Sequence, residues 1–334
     1  MINKIHKSIK KFNLSLKDKN VLTEAANGNY IVTPIIAALT GAKVTAIAKN
    51  SKFGTIKKIK SQILNYTRKL NLKKRIKIVT KKEKINFSKF DIVTNTGHVR
   101  PINKQMIKKL KKNCVIPLMW ETWEYRKNDL DLDACFKRGI KVYGTNEADK
   151  RLKIFDYIGF IVLNFLLNNK NSPFSSSVLI LGSNNFSKPI LKILRQNNYL
   201  CKHLSNYKKA PPNLKKFDVI VISEHSKNDL IIGKSGFIKP KMLRPENYII
   251  HISGNVNFKG LKCKTTPNQP AKFGYMSYTA DYTDSQAVID LHTAGLKVAQ
   301  GMMKANEMNL NKKKFRKYMI KNYPAMSFEN KKYW

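Results

Sequence analysis

The sequence predicts an α/β protein built from two Rossmann-like parallel-sheet units with an interdomain cleft. Three observations carry this prediction. Short apolar runs alternate with helical segments almost throughout. A long apolar helix near the middle ends in the polar stretch NNKNSPFSSS, residues 168–177. A second strand–turn–helix–strand run begins directly after it. Parallel strands buried on both faces read as continuous apolar runs, and they need helical crossovers between them.

In the first half the expected strands are 20–23, 42–48, 75–80, 90–95, 114–118 and 140–143, with helices over 30–40, 57–69 and 104–111. A helix is expected from Asp149 to Asn168; IFDYIGFIVLNFLL is apolar nearly all round, which predicts burial between layers. The second half should hold strands at 178–181, 199–204, 218–222 and 248–252 and a final amphipathic helix over 285–306. The expected division is a flavodoxin-like or Rossmann-like substrate domain over 1–150, completed by the helix at 285–306. A Rossmann-like nucleotide-binding domain follows over 151–284, then a basic C-terminal tail over 307–334. No repeat recurs at a fixed period.

At 334 residues, 42% hydrophobic and 10% aromatic, the composition is globular. No apolar run is long enough to span a bilayer, and Met1 to Lys19 has no apolar centre of a signal peptide, so a cytoplasmic protein with no membrane partner is expected. The net charge of +43 invites a nucleic-acid reading. Only nine of the 64 basic residues are Arg, however, and the lysines are spread evenly among Asn and Ile, as an AT-rich bacterial genome would produce. Specific nucleic-acid readers cluster charge and favour Arg. The expectation is solvated lysine with attraction for small anionic metabolites. Cys114, Cys135, Cys201 and Cys263 lie far apart, so neither a disulfide framework nor a metal site is expected.

The segment VLIL-GSNNFS-KPILKILRQNN has the context of a dinucleotide fingerprint. Gly182 fits the first glycine of that pattern, while Asn184 and Ser187 stand at the second and third. The candidate cofactor contacts are Gly182, Ser183, Asn184, Asn185, Phe186, Ser205, Asn206, Lys208 and Gly254. Where an acid would bind ribose hydroxyls the chain has Ser205, followed by Asn206, Lys208 and Lys209. A 2′-phosphate suits this lip better than a bare ribose, so NADP comes before NAD. The alternative is a Rossmann-like unit that binds no nucleotide.

The order of elements over residues 88–305 resembles that of the D-2-hydroxyacid (formate/glycerate) dehydrogenases. The resemblance rests on the strand DIV, a strand ending in a substrate loop, and a "vDL-x-A-x-x-x-G-I-x-V" helix and strand. Asp131, Leu132, Ala134, Gly139, Ile140 and Val142 match this last motif. It implies two Rossmann-like units, a nicotinamide dinucleotide and a homodimer. It also implies an Arg, a Glu and a His that this chain lacks. The Arg position falls on Gly254, no acid occurs between Asn255 and Ala280, and GYMSYT has no His.

Other polar groups at expected strand ends are therefore candidates, because ligands of such folds bind outside the carboxyl ends of strands. WETWEYR supplies Trp120, Glu121, Trp123 and Glu124; NTGHVRP supplies His98 and Arg100. Glu121, Glu124 and His98 are the candidate acid/base groups. Arg100, Trp120, Trp123, Asn29, Tyr30, Asn255, Tyr275 and Ser277 are the candidate substrate contacts. His251 and His292 read as packed core groups. The loop ANGNYIVTP around Gly28 also looks a little like the first motif of class I methyltransferases. Three readings result: a divergent NAD(P)-dependent oxidoreductase acting on a small anionic hydroxyacid or sugar acid, a non-catalytic binding or regulatory protein, and an S-adenosylmethionine-dependent methyltransferase.

Overall fold

The computed structural model describes residues 1–209 and 213–328. The chain divides into two compact units, one of Met1–Leu152 together with the segment from Ser285 onward, the other of Lys153–Asp284. Among the described residues no helix is long and apolar enough to cross a membrane.

Unit 1 opens with α1 (Ile2–Phe12). Sequence reading assigned no helix to this lysine-rich start. Its Ile5 and Phe12 are buried, Asn13 closes it in the left-handed conformation, and Ser8 Oγ and Lys11 Nζ each donate to Asp290 at 2.6 Å. Then come β1 (Asn20–Glu24), α2 (Val32–Leu39), β2 (Lys43–Ile47), α3 (Ile56–Lys69), β3 (Ile76–Val79) and β4 (Ile92–Val93). They are followed by α4 (Lys104–Lys109), β5 (Val115–Pro117), α5 (Leu132–Arg138) and β6 (Lys141–Thr145). The strands run parallel in the order β3-β2-β1-β4-β5-β6. This is the six-stranded doubly wound order, and its direction reverses between β1 and β4.

Unit 2 begins with α6 (Ile154–Asn168). The helix starts five residues later than expected. Asp149 Oδ1 accepts from the Arg151 amide (3.0 Å) and Nε (2.8 Å), which closes a turn, and Lys153 is left-handed. One face of α6 is buried through Ile158, Ile161, Val162 and Phe165, but Phe160 and Leu167 are about half exposed, so burial all round does not hold. The unit continues with β7 (Ser177–Leu181), α7 (Asn184–Gln196), β8 (Leu200–Leu204), β9 (Val219–Ser223), β10 (Leu230–Ile232), β11 (Tyr248–Ser253), β12 (Asn255–Val256) and β13 (Lys264–Thr266). Five of these strands form a parallel sheet in the order β13-β11-β9-β7-β8, reversing between β7 and β9; β10 and β12 pair separately. Val178–Leu181 and Val219–Ile222 are fully buried, as expected for central strands.

The chain returns to unit 1 through α8 (Ser285–Glu307), whose buried residues pack against α1, α2, β5 and β6. The segment after it is structured rather than a tail. Asn311 caps α9 (Lys312–Asn322) by accepting from the Lys314 amide at 3.0 Å. Phe315 and Met319 bury one face of α9, with the Phe315 ring 5.8 Å from that of Tyr143. Then β14 (Ala325–Met326) pairs antiparallel with the outer strand β6. Its lysines made this stretch read as a basic tail. Residues 329–334 of the expected tail lie outside the described residues.

Candidate active site in unit 1 and nucleotide loop in unit 2

In unit 1 the carboxyl ends of β1, β4, β5 and β6 gather four glutamates and an arginine that burial perturbs. Glu24 ends β1 at the reversal point, with 8% of its surface exposed. Its Oε2 accepts from the His98 amide at 3.0 Å and lies against Gly97, so it latches the loop after β4. Desolvation raises its pKa, against the lowering effect of that amide and of the His98 and Arg100 charges. The His98 ring spans the ends of β1 and β2, with Nδ1 at 3.2 Å from the Ala25 carbonyl and 3.3 Å from that of Ile47.

Arg100 is held on several sides. Its Nε donates to Asn95 Oδ1 (3.0 Å), its Nη2 to the Asn95 carbonyl (2.9 Å), and its Nη1 faces Asp129 at 3.0 Å. The guanidinium lies over the Trp120 ring, 4.4 Å from its centroid. Three of its five donors are thus taken within the protein, which makes it less of an open fork than the sequence reading expected.

Beyond β5 a short turn over Thr122–Glu124 brings Glu121, Trp123 and Glu124 together. Glu121 is 2% exposed; its Oε2 accepts from Trp123 Nε1 (3.0 Å) and its Oε1 from the Glu147 amide (3.2 Å). Both oxygens being used, it acts as the post that fixes the loops after β5 and β6, and Trp123 serves that post. Burial raises the pKa of all three glutamates. Glu124 reaches about 7, where desolvation and the Glu121 charge outweigh Arg126 and Arg100. Glu147 is pushed well up by burial and then by Glu124 and Glu121, and Glu121 is raised by burial alone. Among the described residues no group of three His, Cys, Asp or Glu has the arrangement to hold a metal.

Three buried polar atoms here have no partner among the described residues: Asn95 Nδ2, Trp120 Nε1 and Thr145 Oγ1. They sit at the ends of β4, β5 and β6. Glu24, Asn95 and Thr145 were not singled out as site residues from the sequence; for Glu24 the available signal was an acid closing the apolar run VLTE, whereas Glu147 was visible from its place after a strand in GTNEAD.

In unit 2 the loop after β7 keeps one fingerprint feature in full. Gly182 has φ 142°, and a Cβ there would come within 2.4 Å of the Ser223 carbonyl carbon and oxygen, so only glycine lets β7 pass β9 into α7. At the third glycine position Ser187 is fully buried, and its Oγ lies 2.8 Å from Ser223 Oγ; the two hydroxyls satisfy each other where helix meets strand. At the second, Asn184 is exposed beside Asn185, so its side chain leaves the first turn of α7 open. Ser183 Oγ lies 2.5 Å from His225 Nδ1. Phe186 is 2% exposed and stacked on Phe155 and His225, so its side chain is core and only its backbone faces the loop. These residues fit a dinucleotide's diphosphate at the amide end of α7. At the lip, Ser205, Lys208 and Lys209 are exposed. Asp229, from the loop after β9, accepts from Tyr207 OH (2.7 Å) and sits 3.5 Å from Lys208 Nζ.

The remaining predicted contacts stand apart from these groups within their own units. Ser277 Oγ is shared by His251 Nδ1 (2.7 Å) and the Ala271 amide (3.0 Å), and His251 Nε2 meets the Gly254 carbonyl at 3.0 Å. His251 is thus a satisfied core group, with its pKa lowered to about 4 by burial. Asn255 Nδ2 bonds Asn228, Tyr275 is exposed, and Tyr30 packs edge-on against His292. His292 is itself buried against Thr33. Gly254 has φ 135°, and a Cβ there would meet Ile222 Cγ2 at 3.1 Å. The backbone is therefore shaped for glycine where the resembled family carries Arg. At the Gly28 loop, Asn27 binds the Phe53 carbonyl and a single 3-10 turn over Gly28–Ile31 runs into α2, with the His98 ring against the Ala25 carbonyl.

No family model matches the sequence, and no curated protein matches it. Solved structures do. A dipicolinate synthase chain from Bacillus halodurans shares 11% identity at TM-score 0.54, covering 87% of this chain and 98% of that one. The corresponding chain from Bacillus subtilis shares 12% at TM-score 0.49, covering 89% and 98%. A D-lactate dehydrogenase from Treponema pallidum shares 8% at TM-score 0.47, covering 85% and 97%. The likeness to the first is one of fold. D-2-hydroxyacid dehydrogenases are among the structures matched.

Proposed function

We propose that the protein is a nicotinamide-dinucleotide-dependent oxidoreductase of a small anionic metabolite. Unit 2 takes the dinucleotide, and unit 1 supplies the acid/base group. The observation that carries this reading is the passage of β7 through Gly182 into α7. It sets a helix amide end at the reversal point of the sheet, with Asn184 and Asn185 exposed on its first turn and Phe186 turned into the core. When bound, the dinucleotide would supply the hydride. Ser183, Asn184 and Asn185 would hold its diphosphate, and Ser205, Asn206 and Lys208 would line its adenosine end. Lys208 is partly offset by Asp229, while Lys209 stands exposed next to it, which favours NADP over NAD.

In unit 1, Glu124 is the proton-transfer group. Its pKa near 7 lets it hold or release a proton at neutral pH, whereas Glu121 has both oxygens committed. His98 serves to position the strand ends, because its Nδ1 faces two backbone carbonyls. The non-catalytic reading keeps one specific support, the glycine-shaped backbone at Gly254.

Titration calorimetry with NADPH and NADH tests the assignment. Wild type should bind NADPH, and a ligand at 100 times its Kd should stabilise the fold by about 2.7 kcal/mol. Asn184→Asp places a carboxylate at the diphosphate end of α7, where it suits the helix dipole. It should leave the melting temperature unchanged or higher and weaken NADPH binding at least tenfold. Equal binding by the variant would remove α7 from the cofactor site.

A further inference from the structure

The unit 1 cluster carries both signs of charge at close quarters, and a hydroxyacid uses only one of them. On one side Arg100 and Arg126 both face the carboxylate of Asp129, at 3.0 and 3.6 Å. Asn95 is anchored to Arg100 through its Oδ1, which leaves its partnerless Nδ2 beside the same guanidinium. The Trp120 ring lies under that guanidinium, and its Nε1 is also buried without a partner. This side offers two neutral donors and a shared positive charge, the complement of a carboxylate. On the other side stand Glu121, Glu124 and Glu147. The Glu147 amide is bound to Glu121, and the Thr145 amide donates to the Trp120 carbonyl at 2.8 Å, which ties the two sides together. Asn95 and Thr145 have no exposed surface, so their unpartnered atoms face inward.

We propose that the carboxyl ends of β4, β5 and β6 bind a small amine-bearing acid, its carboxylate held by Asn95 Nδ2 and Trp120 Nε1 beside Arg100 and its ammonium among Glu121, Glu124 and Glu147. This rests on the reading of unit 1 as the substrate side of the protein and names the substrate class. An ammonium group among three desolvated carboxyls favours their ionised forms, so binding should release protons near neutral pH. The raised pKa values of the three glutamates provide the protons to be released.

Calorimetry on the full chain decides the matter, using D- and L-alanine and D- and L-aspartate against the matched hydroxyacids lactate and malate. Running it in two buffers of different ionisation enthalpy counts protons. The expected result is at least tenfold tighter binding of one amino acid than of its hydroxyacid counterpart, with proton release. Asn95→Asp keeps the acceptor for Arg100 and removes the unpartnered donor; Trp120→Phe keeps the ring and removes its N–H. Each should weaken that amino acid about tenfold while leaving the melting temperature unchanged or raised, which a merely structural role for either donor would not allow. Equal or tighter binding of the hydroxyacid, or no binding of any amino acid, overturns the proposal. NADPH binding is read separately through Asn184→Asp. If NADPH binds without any preference for amines, this inference fails while the cofactor assignment survives; an amine preference without NADPH binding gives the reverse.

Discussion

The two sheets end differently at their reversal points. In unit 2, β7 and β9 meet through a glycine with no room for a side chain, and the groups around it are mostly hydroxyls, amides and exposed asparagines. In unit 1, β1 and β4 meet around Glu24, and the neighbouring ends of β5 and β6 bury Glu121 and Glu147 with Glu124 half-buried near them. One end presents backbone to a ligand, while the other stores desolvated acid. The same topological rule thus yields two kinds of site. The first is fixed by steric need and should fail by misfolding; the second is fixed by electrostatics and should respond to pH.

Gly182→Ala should give the largest effect. Its Cβ would sit 2.4 Å from Ser223 backbone atoms, and backbone cannot move aside as a flexible side chain can. A loss of roughly 4 kcal/mol or more is expected from such overpacking and positive-φ strain. Chemical denaturation would show it, and a loss under about 1 kcal/mol would mean that the crossing is looser than described.

Glu124→Gln should sharpen the electrostatic half of the comparison. A carboxyl raised from 4.5 to about 7 on folding binds more protons when folded, so its contribution is lost as pH rises between those values. The variant should therefore match wild type near pH 4 and be more stable above pH 7, by up to about 3 kcal/mol. A stability difference that does not change with pH would contradict the buried-acid description. His292 should act in the opposite sense. Burial lowers it from 6.5 to about 4, so the unfolded chain binds more protons and stability falls as pH drops through that window. His292→Gln should flatten the acid limb of the stability profile, and an unchanged limb would show that His292 titrates normally. The smallest effect belongs to the edge of unit 1. Asn311→Ala removes the cap of α9 and should cost about 1 kcal/mol in denaturant melts, with NADPH binding intact.

Much of this was legible in the sequence. Uninterrupted apolar runs such as VLIL and VIVIS can only be central strands, and Gly182 between strand and helix marked the unit 2 loop. The glutamates of WETWEYR were visible because two Trp and two Glu crowd one strand end. Roles within that crowd were not, since Glu121 differs from Glu124 only by bonds to Trp123 and to the amide of Glu147, 26 residues further on. Asn95 stayed hidden for a similar reason, because its value lies in an N–H that no other described residue takes. The burial of the Phe186 ring was not legible, since its position in the loop says nothing of its packing against His225. Helices α1 and α9 were obscured by their many lysines, while Ile5 and Phe12, or Phe315 and Met319, make the buried side.

The central claim, that unit 2 takes the dinucleotide at the amide end of α7, is tested most directly by amide hydrogen exchange with and without NADPH. The account predicts added protection over residues 181–187 and 204–209. Protection of the Gly28 loop, residues 25–31, with none at 181–187, would contradict it.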